Sequence, residues 1–187
     1  MDKKTRLVFT REEMYQMNVK ALEKRGVTID AIAEVTYQQQ SKYNPDISRA
    51  TCRESVEKIL TYRDPFHYIH LAIEIDVLAE QKKLSQPLQD IIYHDLGVFG
   101  VDEVMGLDVA GMYGTIGQTN FGDIDVNKPG IVKRLNDAGK EEGICHTFLD
   151  DIVGAIAAAA STRVAQVLNE EHAHEDPKIV KLNIFDL

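Results

Sequence analysis

Several features that would mark a secreted, disulfide-built or membrane-spanning chain are missing or scarce. Only two cysteines occur in 187 residues, Cys52 and Cys145, and they form no CxxC pair. That count leaves no disulfide framework and no thiol-rich metal motif. It suits two small core residues in a reduced compartment. No run of about 18 apolar residues occurs, so no transmembrane helix is expected. The nearest approach, Ile152 to Ala160, is short and made mostly of Ala and Gly. The opening MDKKTRLVFTREEM has no apolar h-region and does not read as a signal peptide. Bases are in the minority, with Lys+Arg 21 against Asp+Glu 30 and a formal net charge of -9. This balance argues against nucleic-acid binding and opposes adsorption to anionic lipid. Strand-like alternation is absent except over 179–185, and no repeat, low-complexity block or linker interrupts the chain. The location these absences imply is cytoplasmic.

What is present reads as helices. Hydrophobic residues make up 44% of the chain, enough for one domain with a substantial core. The expectation is an all-α, single-domain multi-helix bundle over residues 1–187, with a flexible tail at 173–187. Thr10 with Glu13 matches a capping box, and Gly26 is a natural stop. A second helix is expected from Asp30 to about Lys42. A third begins near Ser48 and puts Cys52, Val56, Ile59 and Leu60 on one stripe. Asp64-Pro65 ends it and opens the next, with Asp64 as the cap. That fourth helix, Phe66 to about Lys83, is aliphatic. Shorter helices are expected over Leu88–His94, Asp102–Tyr113 and Ile131–Asp137. A long one follows from Phe148 to His172. The stretch Gly114 to Gly130, rich in Gly and small polar residues, reads as a loop.

Acidic clusters carry the chemistry: Asp102-Glu103, Asp123 with Asp125, and Asp150-Asp151. Neighbours on a helix point about 100° apart, so each pair can send one carboxylate inward and leave the other as a cap or support. Inward carboxylates repel unless a cation lies between them. Hard oxygen ligands of this kind suit Mg²⁺ or Mn²⁺. Taken singly, each pair also fits plain capping of a helix N-terminus. The basic segment Lys128, Pro129, Lys133 and Arg134 lies between the clusters. It reads either as a phosphate pocket or as a solvated face paired with Asp125 or Asp137.

Asp102-Glu103-Val104-Met105-Gly106 resembles the Asp-Glu-x-x-Gly motif of the phosphatidylglycerophosphatase A family. Asp125-Val126-Asn127-Lys128-Pro129 is similar to its Asp-x-x-Lys-Pro motif, followed by Arg134 and Asp137. Gly143-Ile144 and Asp150-Asp151-Ile152-Val153 resemble its Gly-Ile…Asp-Asp-Ile-Val motif. All occur in the family's order. The resemblance implies Mg²⁺-dependent removal of phosphate from phosphatidylglycerophosphate, giving phosphatidylglycerol. It makes Asp102, Glu103, Asp125, Asp150 and Asp151 the metal carboxylates, with Asp102, Glu103 and Asp151 the catalytic ones. Lys128 and Arg134 would hold the phosphate of a phospholipid head group or a small phosphoester. Membrane members of the family carry apolar spans and an N-terminal Pro-Gly-Thr-x-Gly element. Neither is found here, which points to a soluble branch, peripheral at the membrane if it acts on lipid. Apolar residues on the N-terminal helices are compatible with a homo-oligomer.

Other constellations compete. His67, His70 and Glu74 share one helix face, and His94-Asp95 with Asp150 or Asp151 would complete a His-Asp metal phosphohydrolase set. Adjacent Cys145-His146 seldom gives thiol–imidazole geometry. A non-catalytic regulatory module retaining the metal site is the third reading.

Overall fold

The computed structural model describes residues 9–97, 99–141 and 143–175. The run at 179–185 and Asp176 lie outside them. Every regular element among the described residues is an α-helix. The first four are α1 (Arg11–Lys24), α2 (Ile29–Gln40), α3 (Arg49–Leu60) and α4 (Arg63–Glu80). The rest are α5 (Leu88–Tyr93), α6 (Val101–Gly111), α7 (Gly114–Asn127), α8 (Ile131–Ala138) and α9 (Leu149–Glu175). The all-α expectation holds. The Thr10–Glu13 capping box forms as read, and Ser48 caps α3 by accepting from Thr51 N–H. Two boundaries differ. Capped by Thr28, α2 starts at Ile29, one residue before the expected Asp30. Tyr62 stands at the N-cap of α4, which moves Asp64 into the first turn.

The centre of the molecule is α9. Packed against it are α2, α3, α4, α6, α7 and α8. Ile152, Val153, Ile156 and the alanines from Ala157 to Ala160 are fully buried, so the helix has no solvent face in this stretch. A helix apolar all round belongs in a core or a bilayer. The segment Leu149–Glu170 is long and apolar enough to cross a membrane by length and composition, and 72% of its apolar window is buried inside the bundle. Polar tethers fix its register. Ser55 Oγ donates to the Ala160 carbonyl at 2.8 Å, and Gln40 Nε2 donates to Ser161 Oγ at 2.8 Å. Asn120 Nδ2 donates to Thr162 Oγ1 at 3.0 Å.

The expected loop at 114–130 is a helix through Asn127. Tertiary packing overrides the low helix propensity of its glycines. Gly117, Phe121 and Ile124 fall on one buried face. A Cβ at Gly117 would stand 2.1 Å from the Ala110 carbonyl oxygen of α6, and one at Gly106 would stand 2.4 Å from the Phe121 ring. The glycines are what lets α6 and α7 touch. Gly117→Ala is therefore expected to destabilise the protein by about 2 kcal/mol, since overpacking of about 3 kcal/mol outweighs the propensity gain of about 1 kcal/mol. Urea unfolding of the two proteins checks this; equal midpoints would contradict the close approach.

Candidate metal and phosphate site

The acidic residues sit on three different elements. Asp102 and Glu103 occupy the first turn of α6, and Asp150 and Asp151 the first turn of α9. Asp125 lies near the end of α7. Asp102, Glu103 and Asp151 can each offer a carboxylate oxygen, and these atoms all lie within 4.8 Å of one another. Among the described residues no other group of His, Cys, Asp and Glu converges in this way. Asp102 and Asp151 are buried, and Glu103 Oε2 is a buried oxygen with no hydrogen-bond partner. An orphaned carboxylate oxygen beside two buried carboxyls is a donor set suited to a hard divalent cation.

Electrostatics point the same way. Burial, together with Glu103, pushes the Asp102 carboxyl up to about 8. Burial, then the neighbouring Asp150 charge, pushes Asp151 up to about 9. Asp150 rises only to about 6, because Lys128 offsets part of the cost of burial. Lys128 Nζ donates to Asp125 Oδ1 at 2.7 Å, Asp150 Oδ2 at 3.0 Å and Asp151 Oδ1 at 3.4 Å. Burial alone would lower its proton affinity, but these carboxylates outweigh it and raise it. Lys128 reaches the cluster because it ends α7 in a left-handed conformation, φ 43°. A non-glycine residue held there is a locally strained position of the kind found at functional sites.

The sequence-derived set thus divides. Asp102, Glu103 and Asp151 converge, while Asp125 and Asp150 reach them through Lys128. Asp123 turns away and pairs with Lys42 at 3.1 Å. Arg134 is exposed on α8 and donates to the Gly26 carbonyl, so the fold does not bring it to the carboxylates. Its neighbour Lys133 pairs with Asp137. The competing histidines do not assemble. His70 packs its ring 4.6 Å from Phe66, and His67 is exposed. The Cys145 thiol is buried and pushed up to about 11, which keeps it protonated and removes it as a nucleophile.

Three further groups support the site, and of these the sequence singles out only Asp95, as a member of the His-Asp set. Asp76, fully buried on α4, accepts the Phe148 N–H at 3.1 Å and the Leu149 N–H at 3.0 Å, capping α9 from another helix. Burial pushes its carboxyl up to about 8. Arg25 forms two bonds to Glu80, at 2.6 and 3.1 Å, and a third to the Cys145 carbonyl at 2.8 Å. Glu80 Oε1 accepts the Cys145 N–H at 3.0 Å. Together they hold the strand of chain that delivers Asp150 and Asp151. Asp95, in a left-handed turn at φ 46°, has its carboxyl pushed up by burial, which the nearby Lys128 charge partly offsets. Asp76→Ala should unpair two buried N–H groups and cost about 2–4 kcal/mol. A thermal melt measures it, and an unchanged midpoint would refute the capping role.

Known proteins share this fold. A protein of Bacillus subtilis (strain 168) described as uncharacterized, YutG, is 51% identical over 157 residues, covering 82% of this chain and 93% of its own length. The crystal structure of the low temperature requirement C protein from Listeria monocytogenes matches with a TM-score of 0.80 and 45% identity, over 83% of this chain and 97% of that one. The crystal structure of YpjQ from Bacillus subtilis matches with a TM-score of 0.82 and 42% identity, over 87% and 99%. The family model for phosphatidylglycerophosphatase A spans residues 26–166, which takes in every carboxylate and the lysine of the site. On its sequence, its fold and the order of its acidic motifs, the chain belongs to the phosphatidylglycerophosphatase A family.

Proposed function

We propose that this chain is a metal-dependent phosphomonoester hydrolase, acting on phosphatidylglycerophosphate to give phosphatidylglycerol and phosphate. Membership of the family supports phosphatase-type chemistry. The observation that carries the reading is the convergence of Asp102, Glu103 and Asp151, with the unpaired Glu103 Oε2, next to the Lys128 ammonium.

In this reading Asp102, Glu103 and Asp151 hold Mg²⁺ or Mn²⁺. Such an ion, when bound, supplies Lewis-acid polarisation of a phosphoryl oxygen and a hydroxide near neutral pH. The protein supplies the rest. Lys128 keeps its proton across the working range and places a fixed positive charge beside Asp151 for the phosphate oxygens. Asp125 and Asp150 hold that ammonium in position. Asp102 and Asp151, each with a proton at neutral pH in the absence of a cation, release it when a cation takes its place. Arg134, engaged with Gly26, has no part in this geometry. Cytoplasmic location, peripheral to the membrane for a lipid substrate, goes with the proposal, because α9 is committed to the core.

The test is phosphate release from detergent-dispersed phosphatidylglycerophosphate, with and without Mg²⁺. Release only with the cation is expected. Failure to release phosphate from this lipid and from soluble phosphomonoesters, with either Mg²⁺ or Mn²⁺, would refute the enzyme reading.

A further inference from the structure

Beside Asp150 lies a groove of about 910 Å³, within the size range of small-molecule sites. It is bounded by α5, the turn before it, the end of α8 and the segment leading into α9. Leu84 is the single aliphatic side chain among its lining residues. Acids and bases alternate around it, with Asp90, Asp95, Glu141 and Asp150 against Lys82 and Lys140. That mixture offers both donors and acceptors, and its balance is acidic. It fits hydroxyl groups better than acyl chains, and better than a second anionic group.

One wall carries a fixed donor. His146 is 8% exposed, and its Nδ1 lies 3.2 Å from Arg25 Nη2. A guanidinium can only donate, so Nδ1 accepts and the neutral ring carries its proton on Nε2. Burial, then the Arg25 charge, holds the ring neutral by pushing it down to about 4. Nε2 has no protein partner among the described residues. Asn136 lines the same groove, half-buried, with only a long 3.4 Å contact to Asp137. The groove meets the carboxylate cluster at Asp150, whose Oδ2 accepts from Lys128 at 3.0 Å.

We propose that this groove binds the hydroxylated carbon body of a phosphomonoester, through His146, Asn136 and Lys140, and presents its phosphate to the Lys128 end. The proposal rests on the phosphatase reading above. The chemistry is shared by a free polyol phosphate and by the glycerol phosphate end of a phospholipid. For the lipid, the acidic lining leaves the diester outside the groove.

Asn136→Leu and Lys140→Met test it, both lying outside the core. The quantity read is kcat/KM, with Mg²⁺, for glycerol 3-phosphate and for detergent-dispersed phosphatidylglycerophosphate. Each is divided by the value for p-nitrophenyl phosphate, which lacks hydroxyls. For at least one of the two substrates, this ratio should fall about tenfold in each variant, the worth of one hydrogen bond. A fall with glycerol 3-phosphate alone identifies a free polyol ester as the source. A fall with the lipid alone, or with both, identifies the head group. Unchanged ratios for both, with Mg²⁺-dependent release intact, overturn the groove assignment and leave the phosphatase reading standing. No release from any ester overturns both.

Discussion

Asp151→Asn is expected to lower Mg²⁺-dependent phosphate release by about a thousandfold, the equivalent of about 4 kcal/mol of transition-state stabilisation. Of the cluster, Asp151 alone belongs both to the converging carboxylates and to the Lys128 network. The substitution keeps volume and removes charge, so helix content should be unchanged by circular dichroism. Binding can be read without turnover. Mg²⁺ at about a hundred times its dissociation constant should stabilise the wild type by about 2.7 kcal/mol. It should leave the melting temperature of the variant unchanged. An equal Mg²⁺ shift in both proteins would remove Asp151 from the site, whatever the activity.

Lys128→Met should cost about 3 kcal/mol near pH 8, or about 6–12 °C in melting temperature for a chain of this length. The loss arises because Asp125, Asp150 and Asp151 are left facing one another without their ammonium. Its pH dependence is the sharper signature. Asp151 titrates at about 9 in the folded protein, against an ordinary carboxylate value near 4 when unfolded. Between those values the native state holds a proton that the unfolded chain lacks, so stability falls as pH rises. Removing Lys128 raises the proton affinity of Asp150 and Asp151 further. The deficit should then be largest at pH 8 and shrink toward pH 5, where both carboxyls are protonated. A deficit independent of pH would mean the lysine acts by packing alone.

Much of the frame was legible from local chemistry. The Thr10–Glu13 box forms as expected and α3 begins near Ser48 as expected, each set by a neighbour three residues away. The acidic clusters were legible because they occur in a recognisable order, two of them at helix starts. The failures have a common cause. In α7 Gly117 looks like a loop residue until Ala110 of α6 is placed against it. Asp76 looks like one more polar residue on an aliphatic helix until the start of α9 is brought to it. Arg25 and Glu80 look like two surface charges until the fold pairs them directly and sets both against the backbone of Cys145. In each case the deciding partner lies outside the element concerned, and no periodicity encodes it. Arg134 lies apart from the carboxylates for another reason, since its position next to the family motif says nothing about which side of α8 it occupies.

The burial of α9 by helices that precede it has a consequence for synthesis. As the chain leaves the ribosome, α2, α3, α4, α6, α7 and α8 emerge before the element that covers their apolar faces. Most of the packing between helices therefore involves α9 and must wait for it. The nascent chain should remain open to proteases and chaperones until α9 is free of the exit tunnel. Acquisition of structure should then be late and cooperative, and arrest of translation before residue 149 should leave a chain that binds hydrophobic dyes and cannot assemble the carboxylate site.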